Sequence, residues 1–211
     1  MQQNIIEPSS LPELPQPTPL EYWVLENPLA PTAILVVAGL FILFMFRHHD
    51  SFKKLGLPIG LVLLALGAGI YTFGTLHITQ REHLKQRSID LVMSVADADA
   101  TNLESMLDPN CRLTSAFASA QGAERITQLA TTRNTGIVQS AEVSKVNAGL
   151  YSDRVAITQI RVRTQGSTVP SLSWWKLDWQ RQTVDDAWVV THIEPIWIQG
   201  WSNPTGSGRS P

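Results

Sequence analysis

Two long apolar runs dominate the pattern of hydrophobic and polar positions: residues 30–46, APTAILVVAGLFILFMF, and residues 55–76, LGLPIGLVLLALGAGIYTFGTL. The polar insert RHHDSFKK separates them, and neither run holds a charged side chain. A helix rises about 1.5 Å per residue, so about 20 apolar residues cross a hydrocarbon core of about 30 Å. The second run meets that length, and the first approaches it once Leu29 is included. Surface helices of water-soluble proteins keep a polar face; these runs have none. The pair is expected to form a transmembrane helical hairpin over residues 30–76.

Beyond it the pattern first has a helical period. Leu84, Leu91, Val92, Val95 and Ala96 recur at helical spacing among charged residues, which predicts a helix over 78–98. Asp97, Ala98, Asp99 and Ala100 interrupt it. Thr101 and Glu104 then have capping-box spacing. A short helix should follow, through Met106 and Leu107, and stop at Asp108, Pro109 and Asn110. A short strand over 111–115 comes next, then a third helix over 121–133 with Ile126, Leu129 and Ala130 on one side.

From residue 136 the period becomes two. Strands are expected at 136–148, 151–164, 171–182 and 187–199, joined near Gly149, near Gly166 and Pro170, and at Asp185 and Asp186. Such short connections make an antiparallel meander. The fold class is therefore α+β: two transmembrane helices, then a cone-shaped domain over 78–201 with three helices packed on a curved antiparallel sheet. Residues 202–211 read as a flexible tail.

Residues 1–29 hold six prolines, at 8, 12, 15, 17, 19 and 28, which oppose helix and sheet and favour extended or disordered chain. A PxxP pattern stands at Pro12 and Pro15, without the basic residues that ligands of this kind usually add. Tyr22 and Trp23 precede the first apolar run, where amphipathic rings suit the headgroup layer.

Charge then narrows the partners. From His77 onward Lys plus Arg and Asp plus Glu balance at 13 each, and a neutral domain without a basic stripe argues against nucleic acid. The N-terminal tail carries four glutamates and no cation, while Arg47, Lys53 and Lys54 lie against the ends of the apolar runs. Arg81, Lys85 and Arg87 follow the second run, so the positive-inside count ties at three on each side. The insert's charges lie immediately against the helix ends and the acidic tail is easy to translocate, which tilts the reading to the insert in the cytoplasm and both termini outside. The expected location is a bacterial cytoplasmic membrane, with the C-terminal domain on its outer side. The lone cysteine, Cys111, excludes an internal disulfide and any zinc site of several cysteines.

The segment SVADADATNLESMLDPNCRL resembles the helix–Asp–helix opening of the nuclear transport factor 2-like superfamily, which includes ketosteroid-isomerase-like and SnoaL-like proteins. AQGAERITQL resembles that superfamily's glycine-containing approach to its third helix. DDAWVVTHIEPI is similar to its closing hairpin. The resemblance covers about residues 80–200. It implies a sheet wrapped on the long helix, a pocket in the cone and dimerisation through the sheet, but no particular activity. Isomerases of this type use a tyrosine in the first helix, and residues 78–98 contain none.

Candidate chemistry gathers in the last two strands, where Lys176 and Asp178 face His192 and Glu194 in one of two registers. A two-residue turn at Asp185 and Asp186 would set Trp179 opposite His192 and Leu177 opposite Glu194. Both polar groups would then lie on the apolar face, in a pocket with a tunable histidine. A three-residue loop would set Asp178 opposite His192 and Lys176 opposite Glu194, two complementary pairs of about 0.2–1 kcal/mol each. Charge matching favours the second. The candidate ligand-binding residues are Trp175, Asp178, Trp179, His192 and Glu194.

His48 and His49 read as solvated, Arg161 and Arg163 as an exposed strand edge, and Cys111 as a small buried residue. No metal signature, phosphate loop or nucleophile motif is present, and no cofactor is implied. The expected function is a membrane-anchored interaction or assembly domain without catalysis, whose partners are the lipid bilayer and a second copy or other membrane-complex subunits. The alternative is a cone that binds a small apolar ligand or acts on it as an isomerase or cyclase.

Overall fold

The computed structural model describes residues 11–46, 53–76, 79–115, 119–134, 140–166 and 170–200. It divides into two compact units, one formed by Gln16–Gln80 and the other by Met1–Pro15 with Arg81–Pro211.

In the first unit the proline-rich chain turns helical before the apolar runs begin. Thr18 accepts from the Glu21 N–H at 3.3 Å and caps the short helix α1 (Pro19–Glu21), and a π-helical turn over Tyr22–Glu26 continues it. Tyr22 and Trp23 stack edge to face, 5.4 Å apart, and both are exposed. Two apolar helices follow, α2 (Leu29–Phe46) and α3 (Lys53–Leu76).

The two helices run antiparallel, because Gly39 meets Gly60 while the Thr32 hydroxyl donates to Gly67 O at 3.3 Å. A Cβ on Gly60 would lie 2.5 Å from Leu43 Cγ. The backbones therefore approach closely where these glycines meet, with no room for a side chain at Gly60. Ile34, Val37, Phe41, Phe44, Leu57, Val62 and Leu66 point away from this seam and are exposed. One helical stretch, beginning at Gly56, is long and apolar enough to cross a membrane by length and composition; the apolar stretch Leu29–Met45 is shorter. His48 and His49, and the loop they were expected to form, lie outside the described residues.

The second unit is α+β, but its six-stranded sheet is mixed rather than wholly antiparallel as expected, because the strand after the short helix joins it parallel to the last one. The long helix is α4 (Gln80–Ala96), and it ends where Ala98 takes φ 54° and Asp99 N–H reaches back to Ser94 O at 2.9 Å. Helix α5 (Ala100–Met106) starts two residues earlier than the Thr101 capping box implies. Asp99 is its cap, accepting from the Asn102 N–H at 3.1 Å. Asp108, Pro109 and Asn110 do not turn the chain but belong to strand β1 (Leu107–Thr114), which begins directly at the end of α5. Strand β2 (Ser119–Gln121) is an addition to the expected elements. It pairs antiparallel with β1, and Gly122, at φ 97°, leads from it into α6 (Ala123–Asn134).

The meander consists of β3 (Ser140–Ser152), β4 (Val155–Gln165), β5 (Leu172–Gln180) and β6 (Val189–Ile198), each antiparallel to the next. The sheet order is β2-β1-β6-β5-β4-β3, with β1 parallel to β6. Two sequence assignments move. Gly149 lies inside β3 rather than at its end, and the turn falls at Asp153 and Arg154. Arg161 and Arg163 lie on β4, which is flanked by β3 and β5 and is no edge.

One face of the sheet packs on the helices. Leu84 and Leu91 of α4, Leu103 and Met106 of α5 and Ile126 of α6 meet Ala148, Ala156, Ile160, Leu177, Trp179 and Val190 in one cluster. Cys111 and Trp188 are buried in the same cluster. A buried polar chain crosses it: the Trp179 indole N–H donates to Thr158 Oγ1 at 2.8 Å, and Thr158 Oγ1 lies 2.9 Å from Ser88 Oγ. Arg181 stacks 4.6 Å above the Trp188 ring and donates to Asp153 O at 2.6 Å. That contact ties the loop between β5 and β6 to the turn between β3 and β4.

Candidate functional site

Strand alternation divides the candidate residues between two faces. Trp179 is fully buried in the helix-facing cluster, and Trp175 packs against it half-buried. Asp178, His192 and Glu194 lie on the opposite face, so the five residues do not converge on one cavity. On that outer face the pairing is Lys176 with Glu194 and Asp178 with His192, the charge-matched register. A three-residue loop is not what produces it. The loop between β5 and β6 spans residues 181–188, and a bulge at Thr191 shifts the register between Trp179 opposite Val190 and Asp178 opposite His192. The Thr191 hydroxyl donates to Asp178 O at 3.2 Å and fastens the bulge.

The polar groups form a continuous chain across three strands. Lys176 Nζ lies 2.9 Å from Glu194 Oε1 and 3.3 Å from Asp178 Oδ1. Asp178 Oδ2 lies 3.4 Å from His192 Nδ1, and His192 Nε2 lies 3.1 Å from Thr114 Oγ1. Burial pulls the Lys176 ammonium down in pKa, but the hydrogen bond to Glu194 and the charges of Asp178 and Glu194 outweigh it and raise the value. Lys176 therefore stays cationic while the two carboxylates hold it.

Thr114 enters only because β1 lies parallel to β6 and sets Arg112 opposite His192. No local sequence signal shows such a pairing, so sequence reasoning misses Thr114. With its proton on Nδ1, His192 donates to Asp178 and accepts from the Thr114 hydroxyl at Nε2. The Thr–His–Asp order resembles a nucleophile, base and orienting acid, but Asp178 is shared with Lys176 and all three side chains are partly open to solvent. What this arrangement does physically is fix a histidine ring and a lysine head at set positions on an accessible sheet face. Among the described residues, no group of three or more His, Cys, Asp or Glu side chains could hold a metal ion.

Further along the same face, Trp174 pairs with Trp197 on one side and Arg161 on the other. Gln159 and Asn147 extend the Lys176 row to the edge strand, while Ile157 and Gly149 extend the Asp178 row. Gln159 is buried on this outer face, at 2% exposure. Its amide donates to Pro12 O at 2.7 Å, so the N-terminal segment lies over it.

No protein-family profile and no curated protein matches the chain. Solved structures similar to it include a nuclear transport factor 2-like protein from Cytophaga hutchinsonii, with 14% identity over 56% of this chain and 98% of that one and a TM-score of 0.48. LinA is similar over 59% of this chain and 88% of its own, at 14% identity and a TM-score of 0.46. A nuclear transport factor 2-like protein of unknown function in nutrient uptake from Rhodospirillum rubrum is similar over 50% of this chain and 89% of its own, at 12% identity and a TM-score of 0.42.

Proposed function

We propose that this chain is a membrane-anchored docking or assembly module rather than an enzyme, with a nuclear transport factor 2-like domain carried on a two-helix anchor. The observation that carries the reading is the division of the sheet's two faces. Trp179 and Trp188 are fully buried among the helix-facing residues, while Lys176, Asp178, His192 and Glu194 stand on the other face. Bulky rings buried in the interior suit a rigid platform, and a fixed set of charges on an accessible face suits partner selection.

The anchor reading rests on the outward apolar side chains of α2 and α3 and on the glycine seam between them. A hairpin, with an even number of crossings, agrees with a hydrogen bond of 2.9 Å from Arg81 Nη1 to Pro15 O. The chain leaves the α+β unit at Pro15 and returns at Arg81, and this bond holds the two points together. The partner class is a second copy or another subunit of a membrane complex.

Photocrosslinking tests this. With a photoreactive residue at Glu194 in the full chain in native membranes, discrete protein adducts of constant mass are expected. The same group at Met93, exposed on α4, should give none of them. Absence of adducts from Glu194, together with a tryptophan fluorescence change on adding small apolar ligands, would replace this reading with a ligand-binding one.

A further inference from the structure

We propose that the outer face of β3 and β4 is a binding site for an extended proline-rich peptide, and that residues 11–15 of this chain, LPELP, occupy it in cis. The proposal does not rest on the docking function above. It rests on three contacts within the α+β unit.

Two buried donors read two backbone carbonyls. Gln159 Nε2 donates to Pro12 O at 2.7 Å, and Arg81 Nη1 donates to Pro15 O at 2.9 Å and to Ala148 O at 3.1 Å. Their exposures are 2% and 5%. Pro12 and Pro15 stand three residues apart, and a polyproline II helix repeats every three residues, which places both carbonyls on one side. This pair of donors therefore selects an extended backbone with a three-residue repeat, and the prolines of the PxxP segment favour that conformation and lower the cost of ordering it.

Gly149 makes the third contact. A Cβ there would lie 2.8 Å from Pro15 Cδ and 2.9 Å from Leu14 Cβ, atoms at the root of the segment that cannot swing aside. A glycine in the middle of a long strand forgoes packing and marks a close backbone approach. Here what approaches is the strap. Arg81 holds it at the edge of the sheet, because β3 is the last strand and Ala148 O belongs to it.

Since the strap belongs to the same chain, its local concentration is in the millimolar range, and a free peptide competes only when the cis segment is weakened. The experiment uses the full chain in detergent and a fluorescent peptide, SSLPELPQP, read by anisotropy. The chain with Leu14→Lys and Pro15→Gly should bind this peptide at least tenfold more tightly than the unsubstituted chain. Adding Gly149→Leu should abolish that binding, and so should Gln159→Met, which keeps the side-chain volume and leaves circular dichroism unchanged. A peptide of the same composition with its prolines adjacent should not bind. The proposal is overturned if the weakened chain binds neither peptide or both alike, or if the folded Gln159→Met variant still binds.

Discussion

Asp178 and His192 face each other across β5 and β6 with Oδ2 and Nδ1 3.4 Å apart, although the strands on either side of that pair are in different registers. The bulge at Thr191 makes the match, and the pair is partly exposed at 28% and 29%. Exposed pairs of this kind contribute little to stability. His192→Ala should therefore cost less than about 1 kcal/mol in urea unfolding of the detergent-solubilised chain. A loss of about 3 kcal/mol or more, the range for breaking a buried pair, would give His192 a structural role that this geometry lacks.

The buried chain of Ser88, Thr158 and Trp179 should behave in the opposite way. Trp179→Ala opens a cavity in the cluster against α4 and should destabilise by about 3–5 kcal/mol. Thr158→Val keeps the shape but strips the indole N–H of its acceptor and leaves Ser88 only its bond to Leu84 O, for about 1–3 kcal/mol. Equal, small effects from both variants would mean that the interior is not packed as described.

Ala98 offers a gain. Its φ of 54° lies in the left-handed region, where a Cβ is unfavourable by about 1–2 kcal/mol. Ala98→Gly relieves that strain at the end of α4 and costs some entropy in the unfolded chain. The melting temperature should rise, corresponding to about 0.5–1 kcal/mol. A fall would show that the Ala98 methyl group makes packing contacts that outweigh the strain.

Cys111 sets a pH dependence. Burial, with the Asp108 carboxylate adding to it, pushes the thiol from 9.0 up to about 12. A raised thiol pKa stabilises the fold fully below the unfolded value near 9 and loses that contribution as pH rises towards about 12. The unsubstituted chain should lose more stability across that window than Cys111→Ala does. At pH 8 the folded chain should resist alkylation until denaturant is added.

Much of the domain was legible because its periods are clean. Leu84, Leu91 and Val95 mark α4, and the alternation expected from residue 136, of which 136–139 lie outside the described residues, marks four strands whose antiparallel order follows from short connections. The misplaced features are those where one residue type serves two physical purposes. Gly149 reads as a turn, yet its missing side chain admits the strap. Asp108, Pro109 and Asn110 read as a stop, yet β1 absorbs them, and its register against β6 shifts between Leu107 and Arg112. The outer-face pairing was readable from charge alone. The bulge that creates it, and the parallel β1 that adds Thr114, depend on long-range pairing with no local trace. Pro12 and Pro15 were visible as a pattern, but the donors that meet them come from Arg81 and Gln159, far along the chain.

The proposed two-helix anchor is tested most directly by topology. Single cysteines at Gln16, Asp50 and Ser207, each with Cys111→Ala, are exposed to a membrane-impermeant thiol reagent on intact cells. The account requires Gln16 and Ser207 to label alike in intact cells and Asp50 to label only after lysis. Labelling of Gln16 and Ser207 from opposite sides, or of all three positions without lysis, would contradict a two-helix anchor.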